Sequence, residues 1–183
     1  MIQLGVQLFT LRGEMKKRPI KEVFEFVKQT GATTVQLSAL PQNITAEEIL
    51  EAKNATGISI CSTHVPFDRM KNDLDNVIRE HKLYGCESAG LSMIPFSYDR
   101  NSKDAIQTFC REMNEISAKL RAEGISLHYH NHAYEFRMLD GKPLFETLME
   151  NFDSSILFSL DIFWLKVGKQ NIEEYISRIG AEG

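Results

Sequence analysis

Short apolar runs alternate with longer amphipathic stretches about every 30 residues along the chain. The runs at 3–8, 34–37, 59–63, 88–91, 126–130 and 156–160 are rich in β-branched or apolar residues and too short for helices, so they predict six strands. The stretches at 20–29, 46–55, 73–83, 103–122, 143–150 and 172–179 predict helices between and after them. Val23, Phe24 and Val27 recur at helical spacing in the first, and Ile106, Phe109, Met113, Ile116 and Leu120 do so in the fourth. Gly31, Gly57, Gly85 and Gly124 each fall between a helix and the next strand, where a left-handed C′ residue is wanted. Thr45 stands three residues before Glu48, the spacing of a capping box, with Asn43 as the other candidate N-cap. No linker, low-complexity tract or internal boundary interrupts the pattern, so 1–183 reads as one domain.

Consecutive strand–helix units imply a parallel sheet covered by helices, because crossovers between parallel strands are right-handed. A doubly wound open sheet and a TIM-type α/β barrel both satisfy that pattern. No GxGxxG or GxxxxGK[ST] follows the first strand, which removes the strongest sequence argument for the open sheet. Gln7, Gln36, His64, Ser92, His130 and Asp161 instead fall at the C-terminal ends of the strands. A barrel assembles its site at that level, from the loops that follow the strands, and the barrel is the reading adopted. A closed barrel typically takes about 250 residues, whereas six units use all 183 here. The last two units are therefore expected to be missing, leaving two open strand edges for a partner or another copy of the chain to cover.

Charge and cysteine content narrow the function classes. A net charge of -4 offers no basic face for nucleic acid. Lys16, Lys17 and Arg18 read as the exposed start of a helix. No apolar run approaches the roughly 20 residues that span a bilayer, and the N-terminus lacks the pattern of a signal peptide. Cys61, Cys86 and Cys110 are far apart and odd in number, and so predict free, mostly buried thiols in a cytoplasmic protein.

The densest chemical feature is Leu127-His128-Tyr129-His130-Asn131-His132-Ala133-Tyr134-Glu135-Phe136. Period two places His128, His130 and His132 on one side of a strand and its exit, facing inward if Leu127 and Tyr129 pack outward on helices. Imidazoles there bind a divalent metal or move a proton near neutral pH. Asn131 adds a neutral hydrogen-bonding group and Glu135 a carboxylate. Asp161 follows a buried strand directly, where a carboxylate is costly unless a cation or several donors meet it. An N-cap is the plainer role for it, but helical periodicity does not resume until about residue 171. A metal or substrate role is therefore expected. Trp164 reads either as core or as a flat wall for a sugar ring. His64, before Val65-Pro66, is a candidate substrate contact. Gln7 and Gln36 suit hydroxyl binding better than acid–base chemistry. His81 reads as a surface residue.

Four segments in order resemble the sugar phosphate isomerase/epimerase group of xylose-isomerase-like TIM barrels. They are Gly5-Val6-Gln7-Leu8-Phe9-Thr10-Leu11-Arg12, Ser62-Thr63-His64, Tyr129-His130-Asn131-His132 with Glu135-Phe136, and Leu160-Asp161-Ile162-Phe163-Trp164. The resemblance implies isomerisation or epimerisation of a sugar or sugar phosphate through a metal-stabilised enediolate. It implies Mn, Mg or Zn, held by Asp161 with His130 and Glu135, and His130 and Glu135 as catalytic groups. Gln7, His64, Asn131, His132 and Trp164 are the implied substrate contacts. The group's fifth-strand ligand is usually a glutamate, where this chain has His130, or His128 under a shifted alignment, with Glu135 a few residues later, and its last two ligands lie on strands seven and eight. The metal is therefore expected to be weakly held. The competing expectation is a non-catalytic or truncated sugar-binding barrel without a complete metal site.

Overall fold

The computed structural model describes residues 4–180; Gln3, in the first expected strand, lies outside them. Six strands form one sheet in the order β1-β2-β3-β4-β5-β8, the order in which the chain makes them apart from a small hairpin. The chain divides into two compact units, with the division falling inside β4.

The first unit comprises Met1–Val65 and Asp73–Ala89. Its strands β1 (Gly5–Gln7), β2 (Thr34–Leu37) and β3 (Ser59–His64) pair in parallel. The partners Val6↔Val35 and Gln7↔Gln36 set the register of the first pair, and an irregularity after Val35 moves Gln36 opposite Ser62. Helices α1 (Ile20–Gln29), α2 (Ala46–Thr56) and α4 (Leu74–Tyr84) belong to this unit. Phe24 and Val27 of α1, Ile49 and Ala52 of α2, and Val35 and Ile60 of the strands share one apolar core. Burying side chains of this size contributes about 1.5–3 kcal/mol each. Helix α2 starts at the expected capping box: the Glu48 N–H donates to Thr45 Oγ1 and the Glu48 carboxylate accepts from the Thr45 N–H. Thr45, not Asn43, is the cap. It ends at Gly57 with φ 75°, a left-handed conformation that glycine adopts without penalty.

His81 departs from its expected surface position. It is 2% exposed in α4, with Nδ1 2.7 Å from the Val77 carbonyl and Nε2 2.8 Å from Thr63 Oγ1. The helix turns its inner face toward the sheet at His81, and both ring nitrogens find partners there, so burial costs little.

The second unit comprises Pro66–Asn72 and Gly90–Gly183. It contains α3 (Phe67–Asn72), α5 (Lys103–Ala122), the strand β5 (Ser126–His130), a hairpin of β6 (Met138–Leu139) and β7 (Lys142–Pro143), and α6 (Leu144–Asn151). The strand β8 (Ile156–Ser159), α7 (Ile162–Val167) and α8 (Ile172–Gly180) complete it. Strand β4 (Ser88–Leu91) is the one the division crosses. β8 pairs with β5 in parallel, with His130 opposite Ser159. Aromatic rings hold this core: Phe109 of α5 packs on Tyr129 of β5, and Tyr129 on Phe152. Phe145, Phe136 and Tyr175 form a further group. Tyr129 thus faces the helices, as the alternation in β5 requires. Cys86 and Cys110 are buried, Cys61 is exposed, and all three are free.

Two short helices went unread in the sequence pattern, α3 and α7. In α7 only Leu165 is buried, while Ile162 is 55% and Phe163 62% exposed, so no amphipathic stripe marks it. The hairpin turn carries positive φ at Asp140 (53°) and Gly141 (87°), which an Asp-Gly pair accommodates.

Candidate active site

In the second unit, the end of β5 and the end of β8 bring together His130 and Asp161. The His130 Nε2 lies 3.8 Å from Asp161 Oδ2. Asn131 accounts for that juxtaposition. Its Nδ2 donates to the Asp161 carbonyl at 3.2 Å and its Oδ1 accepts from the Asp161 N–H at 2.7 Å. Asn131 is 1% exposed, so its amide clamps one strand end to the next and does not open toward a ligand. The same Asp161 caps α7, its Oδ1 accepting from the N–H groups of Phe163 (2.8 Å) and Trp164 (3.1 Å). The N-cap role set aside in the sequence is therefore present, because α7 begins at Ile162. It coexists with the approach to His130, since the two oxygens serve different partners.

His132 lies edge-on to His130, with ring centroids 4.9 Å apart, and stacks on Tyr134. The Trp164 indole comes within 5.2 Å of it, so Trp164 belongs to this cluster and not to the core. Burial pushes the His132 imidazole down to about 4, helped by the neighbouring His130, and lowers His130 against the opposing pull of Asp161 and the Ser159 backbone. Both shifts favour the neutral form of the rings at pH 7.

Glu135 does not join them. It is 0% exposed; Oε1 accepts from the Tyr129 hydroxyl at 2.6 Å and Oε2 from the His132 N–H at 2.9 Å. Desolvation raises its pKa while these hydrogen bonds oppose the rise. The carboxylate ties the loop bearing His132 back to β5. The Tyr129 and Tyr134 hydroxyls lie 3.2 Å apart, and Tyr134 accepts from the Ile94 N–H. Arg100 lies over the Tyr134 ring. Sequence reading missed this tyrosine pair, since a Tyr in a strand looks like core until its hydroxyl is traced.

In the first unit a second polar group occupies the ends of β1, β2 and β3. Gln7 Nε2 donates to Gln36 Oε1 at 2.9 Å, and Gln36 Nε2 lies 3.2 Å from His64 Nε2. Ser38 Oγ lies 3.1 Å from His64 Nδ1. Ser38 was overlooked, although period two in β2 sets it on the face of Gln36.

Among the described residues, no group of three or more His, Cys, Asp or Glu side chains is arranged to hold a metal ion. Of the three expected ligands, His130 and Asp161 are together and Glu135 is turned away.

No protein-family model matches the sequence, and no curated protein matches it. Solved structures do. A sugar phosphate isomerase/epimerase from Parabacteroides distasonis superposes with a TM-score of 0.83 at 21% identity, over 96% of this chain and 74% of that one. The shared fold is the TIM-type strand–helix barrel. D-psicose 3-epimerase from Clostridium cellulolyticum, solved with D-tagatose, gives 0.74 at 12% identity, over 99% of this chain and 71% of its own. The probable 3-DHS dehydratase from Bacillus anthracis gives 0.72 at 9% identity, over 98% and 70%. Identities this low establish the barrel fold of the chain, here as six of its strand–helix units.

Proposed function

We propose that the chain catalyses isomerisation or epimerisation of a sugar or sugar phosphate by moving a proton at the carbon beside the carbonyl. The observation that carries this reading is the neutral His130 imidazole set against the Asp161 carboxylate at adjacent strand ends. The His130 imidazole accepts the C–H proton, and the C–H electron pair forms the C=C bond of an enediolate as the carbonyl π pair moves onto its own oxygen. Asp161 stabilises the imidazolium that results. Return of the proton to the neighbouring carbon, with the hydroxyl proton passing from one enediolate oxygen to the other, isomerises the sugar; return to the opposite face of the same carbon, by a second group, epimerises it. His132 and Trp164 form the wall beside that carbon, and Glu135 acts through the loop it anchors. Structural similarity to sugar-processing enzymes supports the substrate class.

The resemblance also brings a divalent ion, Mn, Mg or Zn. His130 Nε2 and Asp161 Oδ2 are the two side-chain donors available to it, and both oxygens of Glu135 are engaged elsewhere. A catalytic ion usually takes three protein ligands, so the described residues do not make a complete metal site. The proposed proton transfer uses the chain's own groups alone.

The sequestered Glu135 favours a second reading, a barrel that binds sugar without turning it over. Incubation with a panel of ketoses and their phosphates in D2O separates the two. Deuterium entering the position beside the carbonyl, and lost in His130→Ala, supports catalysis; saturable binding with no exchange supports the binding protein.

A further inference from the structure

The geometry points to a directional hydrogen-bond relay in the first unit: Gln36 sets the tautomer of His64, and Gln7 offers the relay's free oxygen to an uncharged hydroxyl of the ligand. This deepens the carbohydrate reading and rests on it for the ligand class.

The direction of the relay follows from Ser62. Its hydroxyl donates to the Thr63 carbonyl at 3.4 Å, so it presents lone pairs to Gln36, whose Nε2 lies 3.4 Å away. The Gln36 NH2 group therefore faces Ser62, and the same nitrogen meets His64 Nε2 at 3.2 Å. An amide N–H on that ring nitrogen requires a bare Nε2. The imidazole proton then sits on Nδ1 and is donated to Ser38 Oγ, 3.1 Å away. At the other end, Gln36 Oε1 points to Gln7 and accepts from its Nε2 at 2.9 Å. The Gln7 amide is thereby oriented too. Its Oε1 has no hydrogen-bond partner among the described residues, and the side chain is partly exposed.

The relay contains no formal charge, since Gln7, Gln36, Ser38 and Ser62 are neutral and His64 is held in a neutral tautomer. An exposed carbonyl oxygen selects a group that donates, which a sugar hydroxyl does and a phosphate dianion does not. The Nε2 lone pair of His64 is occupied by Gln36, so His64 orders this polar group and is no proton acceptor. Gln36 is a positioning residue, acting on the ligand only through Gln7.

Long-range 1H–15N NMR of the histidine rings tests the relay without any need for turnover. The expected result is the Nδ1–H tautomer for His64 in the wild type. In Gln7→Glu at pH 7 the carboxylate cannot donate to Gln36, so the Gln36 amide turns its NH2 to residue 7 and its oxygen to His64. The tautomer then switches to Nε2–H. In a Gln36→Leu background, Gln7→Glu should leave the His64 tautomer as it is in Gln36→Leu alone. Ser62→Ala, a milder change that guards against misfolding of Gln7→Glu, should give a mixture of tautomers. An Nε2–H wild type, or no response to Gln7→Glu and Ser62→Ala, overturns the relay. For the ligand, titration with D-fructose should shift the Gln7 side-chain amide resonance, and inorganic phosphate should not. Shifts confined to His130 and His132 overturn the Gln7 subsite and leave the carbohydrate reading standing. No shift anywhere with D-fructose or other ketohexoses overturns the ligand class, while the tautomer result still decides the relay.

Discussion

Asn131 shows how one side chain can organise a site without facing a ligand. Both ends of its amide are used by the Asp161 backbone. Asn131→Ala leaves a half-buried N–H and carbonyl unmatched, which should cost about 1–3 kcal/mol. Urea denaturation measures it, and a loss well below that range would show that the clamp does not hold. His132 and Glu135 make opposite contributions to pH dependence. The folded His132 titrates near 4, against 6.5 for a free imidazole, so between those values the unfolded chain binds the proton and stability falls as pH falls. Glu135 is raised above 4.5, so the folded state holds its proton longer and stability gains as pH falls through that range. His132→Gln should therefore flatten the acid loss of stability between about pH 6.5 and 4, and Glu135→Gln should steepen it, as read from melting temperatures across pH. The histidine run was legible because three imidazoles in five residues are conspicuous. The fate of Glu135 was not, because a carboxylate that turns inward to a strand tyrosine six residues earlier leaves no periodic pattern.

At the scale of elements, strands β2, β4 and β5 and helices α1 and α5 have the bounds their periodicity predicts. Helix α5 is the clearest case: Ile106, Phe109, Met113, Ile116 and Leu120 are all buried on one face. Phe109→Ala should lose about 3–5 kcal/mol, detectable by thermal or chemical denaturation; a loss below 1.5 kcal/mol would contradict its place among Phe67, Tyr98, Tyr129 and Phe152. Helix α7 was hidden because its apolar residues are mostly exposed, and with it went the capping role of Asp161. Paired substitutions separate the two roles of this residue. Asp161→Asn keeps a good N-cap and removes the charge facing His130, so stability should hold and weak binding of Mn2+ should be lost. Asp161→Ala should lose that binding and also about 0.5–2 kcal/mol of stability. Paramagnetic relaxation titration and denaturation read the two effects separately, and equal stability of both variants would remove the cap from the account.

For the molecule as a whole, a repeat of strand and helix sends polar residues to one level of the sheet. That is why Gln7, Gln36, His64, His130 and Asp161 stand out in the sequence as strand-end groups. What the repeat does not specify is which of these groups pair across neighbouring strands, since pairing depends on register and on clamps such as Asn131. The His130–Asp161 pair is proposed to move a proton at the carbon beside a carbonyl. Deuterium incorporation into ketoses and ketose phosphates in D2O, followed by 1H NMR, tests it most directly. The account predicts exchange at that carbon with the wild type, and a fall of at least about 100-fold in His130→Ala, the scale of a lost general base. Exchange that persists at the wild-type rate in His130→Ala would contradict it.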